Sequence, residues 1–250
     1  MISVITPTTR PEGIDIIERC LSRQTYKDFE WIVICPKDKH PLIAAKPNIL
    51  LADPPKKADD FWSLCKAWNL GYATASGELV VNIQDMVWFP PDMLEKFWTH
   101  YEQSPNALVT ATGDQYDEVD DRGVPKHCVW NDPRKRLDQG TFYPVNFPDM
   151  EMVICSIPAQ AIYDCGGLDE EYDKGPGCQE KEMCMRLVNL GYEMYIDQTI
   201  DYKAIKHGRL TSDWDDKYWG VIAPMFKKHG TEILQGVRNL NVGYVKNKRP

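Results

Sequence analysis

Apolar residues in the first hundred positions follow two alternating rhythms. Short unbroken apolar runs at 2–6, 31–35, 48–51 and 79–83 read as strands, the second and fourth of them buried on both faces. Between them the spacing turns helical. Ile14, Ile17 and Leu21 recur on one stripe after Pro11, a residue suited to a helix's first turn. A second helix, capped by Asp59 and Asp60, carries Phe61, Leu64, Cys65, Trp68 and Tyr72 on one side, and Gly77 stops it. Alternation of this kind through residue 103 predicts βαβ units on a parallel sheet. The C-terminal ends of such strands line one edge, which is where ligands of these sheets sit.

Past residue 112 the pattern loosens. Residues 114–147 are polar, rich in Pro and Asp, and periodic in neither sense. So long a stretch is more than a passive connector, and it is expected to face substrate. Order returns with an apolar run at 152–157, a short helix opened by Pro158 and ending at Cys165, and a turn at Gly166-Gly167. A further helix bearing Met183, Leu187 and Leu190 stops at Gly191. No repeat or low-complexity tract interrupts the chain. The reading is α/β, a mostly parallel sheet flanked by helices in a single domain.

Composition narrows the classes. With 250 residues, 43% hydrophobic and 26% charged, the chain has an ordinary globular make-up. Its 29 basic against 37 acidic residues leave a net charge of −8, which is opposite to the basic stripe of a nucleic-acid binder. The basic run at 246–249 reads as a solvated tail. Eight cysteines at irregular spacings, with no C-x-x-C, read as small buried apolar residues with reduced thiols. The first residues form no leader pattern and no apolar stretch reaches membrane-spanning length, so a cytoplasmic location is expected. Phosphate-loop, dinucleotide, nucleophile-elbow and H-E-x-x-H motifs are all missing.

Three places carry carboxylates or a titratable ring in suggestive settings. Asp85, in Gln84-Asp85-Met86, ends the strand at 79–83. An acid there either starts a turn or offers hard oxygens to Mg²⁺ or Mn²⁺. Glu180 and Glu182 open a helix after the Gly-rich 166–177 segment. Such an acid aimed at a ligand is a general base, whereas one facing its own helix complements the dipole or pairs with Arg186 at i+4, the reading preferred for Glu182. His207 lies in a turn-rich loop and is either solvated or a third metal contact.

The order of these elements over residues 2–210 resembles the family 2 glycosyltransferases, nucleotide-sugar enzymes with the GT-A fold. Val4-Ile-Thr-Pro-Thr-Thr-Arg10 is similar to that family's first strand and nucleotide-contacting loop. Ala67-Trp-Asn-Leu-Gly-Tyr-Ala-Thr-Ala-Ser-Gly-Glu78 is similar to its A-R-N-x-G-x-x-x-A-x-G-E signature, and Gly166-Gly-Leu-Asp-Glu170 to its G-G-F-D-E. Gln179-Glu-Lys-Glu-Met-Cys-Met-Arg186 stands where the family has E-D-x-D-L-x-x-R. Departures are visible too. Gln84-Asp85-Met86 replaces D-x-D, Asp38 stands a few residues late for the base-reading acid, and Glu180 replaces the catalytic Asp.

The resemblance implies an inverting transferase moving a sugar from a nucleoside-diphosphate donor, a UDP-sugar foremost, to a glycan or other hydroxyl acceptor, with modified DNA also open. Residues 1–112 would form the nucleotide-binding half, 113–210 the acceptor and catalytic half, and 211–250 a helical extension. Glu180 would be the base. Pro7, Thr8, Arg10, Asp38, Lys66, Asn69, Gln84 and Asp85 would line the donor site, Lys66 reaching a phosphate. Asp85 and His207 would hold Mn²⁺ or Mg²⁺. Gly167 and Asp169 would border the acceptor, with Trp88 and Trp130 stacking on sugar rings or packing into the core. Two alternatives stand beside this: a sugar- or nucleotide-binding module without catalysis, and a metal-independent transferase.

Overall fold

The computed structural model describes residues 1–36, 49–53, 62–120, 124–175 and 179–206. Among these residues ten strands make one sheet: β1 (Ile2–Pro7), β2 (Phe29–Ile34), β3 (Ile49–Ala52), β4 (Leu79–Ile83), β5 (Val87–Trp88), β6 (Ala107–Val119), β7 (Pro125–Trp130), β8 (Phe142–Pro144), β9 (Ile154–Pro158) and β10 (Glu193–Ile205). The order across it is β3-β2-β1-β4-β9-β6-β10-β5, with β7 beside β6 and β8 beside β10. Strands β1, β2, β3, β4, β6 and β10 run one way, and β5, β7, β8 and β9 run against them. The sheet is therefore mostly parallel, as the sequence predicts.

Helices α1 (Pro11–Ser22), α2 (Leu64–Thr74), α3 (Met93–Gln103), α4 (Ala159–Cys165) and α5 (Gln179–Asn189) cover both faces. Alternation along the strands divides the core in two. Ile5, Ile32 and Val80 face Trp68 and Tyr72 of α2, Ile162 of α4 and Leu187 of α5. Val4, Val33 and Val81 face Ile14 and Ile17 of α1 and Phe97 of α3. Strands clothed on both sides read as continuous apolar runs, which is why β1, β2 and β4 were legible.

Three features differ from the sequence reading. The stretch at 114–147 is not aperiodic: β6 runs on to Val119 and folds back as β7, a largely exposed two-stranded arm, and β8 pairs with β10. Neither β5 nor β10 was predicted, although β10 is one of the two longest strands. The first amides of α2 are capped from far along the chain, Asp173 accepting hydrogen bonds from Cys65 N (2.8 Å) and Lys66 N (3.1 Å). Asp59, Asp60 and the proposed extension at 211–250 lie outside the described residues.

Candidate active site

Parallel pairing of β1 with β4, Ile2 to Leu79 through Ile5 to Asn82, carries the residues after β1 alongside those after β4. Pro7 ends β1, and Thr8 donates its amide to Ile34 O at 2.9 Å. The Thr8 hydroxyl donates to Asp85 Oδ2 (2.7 Å) and accepts from Arg10 N (2.8 Å). Arg10 grips the same carboxylate sideways, Nε to Oδ2 at 2.9 Å and Nη2 to Oδ1 at 2.7 Å. Four residues named from sequence, Thr8, Arg10, Gln84 and Asp85, thus meet at one sheet edge. Asp85 is followed by Met86 in the left-handed region, φ +59°. The start of α1 presses on this turn: a Cβ on Gly13 would stand 3.0 Å from Met86 N and 3.1 Å from Asp85 Cβ, so glycine permits the approach.

Glu180 lies in the first turn of α5. The buried side of α5, Met183, Cys184 and Leu187, packs in the same core as Cys65 of α2 and Cys155 of β9. Cys155 pairs with Asn82, three residues before Asp85. Gln84 N then donates to Val153 O at 2.8 Å, so the Asp85 turn borders the 150–153 segment. Lys181 closes the circuit, its ammonium donating to Met150 O and to Glu151 Oε1 (2.9 Å). Glu151 in turn acts on Glu180. Burial and the Glu151 charge push the Glu180 carboxyl above the ordinary carboxylate range, against the pull of Lys181. Glu180 Oε2 and Gln179 Oε1 are both shut off from solvent, with no hydrogen-bond partner among the described residues.

A second cluster supports this one from below. Gly166 and Gly167, both with φ near +80°, turn the chain after α4. Asn69 clamps the turn, its amide donating to Leu168 O (2.9 Å) and to Glu170 Oε1 (3.2 Å) while Leu168 N donates back to Asn69 Oδ1 (2.9 Å). Asp169 is buried and caps the following turn through Glu171 N. Arg186 is fully enclosed, bonded to both oxygens of Glu182 and to the carbonyls of Cys165 and Gly167. Glu182 is thus a structural partner, as the i+4 spacing predicts. Lys66, expected at a phosphate, is buried with its ammonium 3.3 Å from Asp173 Oδ2, so reaching a phosphate means opening that pair. Asn69 has no exposed surface, so it holds the Gly167 turn in place of lining the site directly.

Trp88 is half-buried with the cations of Lys203 and Arg23 over its ring, 5.4 and 5.9 Å from the centroid. Trp130 sits on the exposed arm opposite Gln115 and is 44% exposed. Asp38 and His207 lie outside the described residues. Sequence reasoning missed Glu151, Lys181 and Asp173. No local spacing marks Glu151 or Asp173, because tertiary packing alone brings them to their partners. Lys181, beside Glu180, was in view but unassigned.

Of the two residues expected at a divalent cation, only Asp85 lies among the described residues, and it is already engaged. Both Asp85 oxygens already take hydrogen bonds from the Arg10 guanidinium, and the neighbouring D-x-D position is the neutral Gln84. Among the described residues no group of three or more His, Cys, Asp and Glu is arranged around a common point. A cation at Asp85 would have to displace a paired guanidinium.

No protein-family model matches the chain, and no curated protein does. Among solved structures it is similar to residues 1–349 of S. aureus TarS in complex with UDP, at a TM-score of 0.61 and 16% identity over 93% of this chain and 69% of that one. The likeness establishes the fold. The mixed α/β layers and mostly parallel sheet are those of the fold the chain shares with TarS. Among the described residues no helix is long and apolar enough to cross a membrane.

Proposed function

We propose that the chain is an inverting glycosyltransferase of the family 2, GT-A type, moving a sugar from a nucleoside-diphosphate donor, a UDP-sugar foremost, to an acceptor hydroxyl. The observation that carries this reading is the pair of buried acceptors on the first turn of α5, Gln179 Oε1 and Glu180 Oε2, which have no hydrogen-bond partner among the described residues. Buried polar atoms in folded proteins are nearly always paired, so two adjacent exceptions call for a ligand that supplies hydrogens. A sugar hydroxyl does so. The sheet-edge residues Thr8, Arg10 and Asp85 and a fold shared with a UDP-bound protein support the donor side of the reading.

Glu180 accepts the acceptor's proton as its oxygen attacks the anomeric carbon, a role worth about 10²–10⁴-fold when well placed. The new carbon–oxygen bond forms opposite the old one, whose electron pair leaves on the diphosphate oxygen. Burial and Glu151 raise the proton affinity of Glu180, so the carboxylate is a stronger base than one in water. Lys181 anchors Glu151 beside it. The backbone carbonyls locked by Arg186 and Asn69 hold the Gly167–Asp169 border rigid while α5 presents Glu180.

The test is a panel of nucleotide sugars, scored for release of nucleoside diphosphate with and without small glycan acceptors. The reading expects release from one donor, accelerated by an acceptor. A donor that binds yet is never consumed would point to a binding module instead.

A further inference from the structure

We infer that Arg10, held by Asp85, takes at the donor diphosphate the place that a divalent cation occupies in metal-assisted transfer, an inference that rests on the glycosyltransferase reading. Arg10 uses its Nε and Nη2 edge on Asp85 and has Nη1 left over, with no described partner. Its side chain is 27% exposed against 6% for Asp85, so of the pair it is Arg10 that keeps surface open to a ligand.

That arrangement suits an anion. A guanidinium presents a planar fork that matches phosphate oxygens, and one fixed in advance needs little reordering as charge develops on a leaving group. Asp85 fixes it, and Thr8 fixes Asp85 through the 2.7 Å hydrogen bond. The packing of Gly13 on the Asp85–Met86 turn sets the positive end of α1 behind the same place. Asp85 is on this account a positioning residue for Arg10, which explains why a single acid remains where the resembling family has two.

The experiment measures binding of UDP, GDP, ADP, CDP and dTDP, and of the matching nucleosides, to the full chain in EDTA and in excess MnCl₂ or MgCl₂. The inference expects one nucleoside diphosphate to bind equally well with and without metal. Arg10→Lys, which keeps the charge and loses the fork, is expected to weaken that diphosphate by about tenfold or more, about 1.4 kcal/mol, and to leave its nucleoside unaffected. Unchanged nucleoside binding also shows that the variant is folded. Binding of the diphosphate only with metal would overturn the inference and leave the transferase reading standing. Equal weakening of diphosphate and nucleoside would overturn it as well. No diphosphate bound under either condition would overturn both.

Discussion

Lys66 and Asp173 form a buried ion pair, Nζ to Oδ2 at 3.3 Å, between side chains 3% and 0% exposed. Asp173 also caps α2 through two backbone amides, so one carboxylate ties the Gly-rich turn to the helix that floors the site. Replacing it leaves a buried cation and two bare amides. Asp173→Ala is expected to lower unfolding stability by about 3–5 kcal/mol. A urea titration checks this, and a loss confined to a few tenths of a kcal/mol would contradict it.

Arg186 donates four hydrogen bonds from full burial, two to Glu182 and two to carbonyls of the α4 turn. A lysine keeps the charge but cannot reach all four acceptors from one nitrogen. Arg186→Lys and Arg186→Ala are therefore both expected to destabilise strongly, the alanine by about 3–5 kcal/mol. Thermal unfolding measures both, and near-complete rescue by lysine would show that charge alone matters.

The proposed base, Glu180, costs the fold stability at neutral pH. Its folded carboxyl titrates above its unfolded value because burial and Glu151 disfavour the charge. The folded state then holds a proton more tightly than the unfolded one. Its contribution is intact below the ordinary Glu pKa and is lost as pH rises through the folded value. Glu180→Gln is accordingly expected to raise the melting temperature at neutral pH, with the gain vanishing in acid below about 4.3. A gain that grows in acid would show that the folded carboxyl titrates below its unfolded value instead.

In the proposed reaction Glu151 sets the working range of the same group. A base must be unprotonated to act, so the acid limb of kcat/KM is expected above the usual carboxylate range. Glu151→Gln removes a neighbouring negative charge and releases Lys181 from its ion pair, and both changes lower the Glu180 pKa. The acid limb should move to lower pH. A limb that stays in place would separate Glu151 from the base.

Legibility in the sequence followed burial. Runs such as 79–83 stand out because both faces of the strand are apolar, and α1 because its stripe meets the core. The arm of β6 and β7 was hidden because its residues beyond 113, Pro125 apart, are half-covered or exposed, so pairing and not burial holds them extended. In β10 a register shift between Asp197 and Asp201 breaks the two-residue period midway. Motif residues near the sheet edge, Thr8, Arg10 and Asp85, were legible by type and order. Their mutual pairing was not, since nothing in the spacing says that Arg10 folds back on Asp85.

The account turns on Glu180 acting on an acceptor hydroxyl while a nucleotide sugar is held at the Arg10–Asp85 edge. The most direct measurement compares donor affinity and turnover in the wild-type chain and in Glu180→Gln. Donor binding should be unchanged and sugar transfer should fall by about 10²-fold or more. Transfer at the wild-type rate by the glutamine variant would contradict the account.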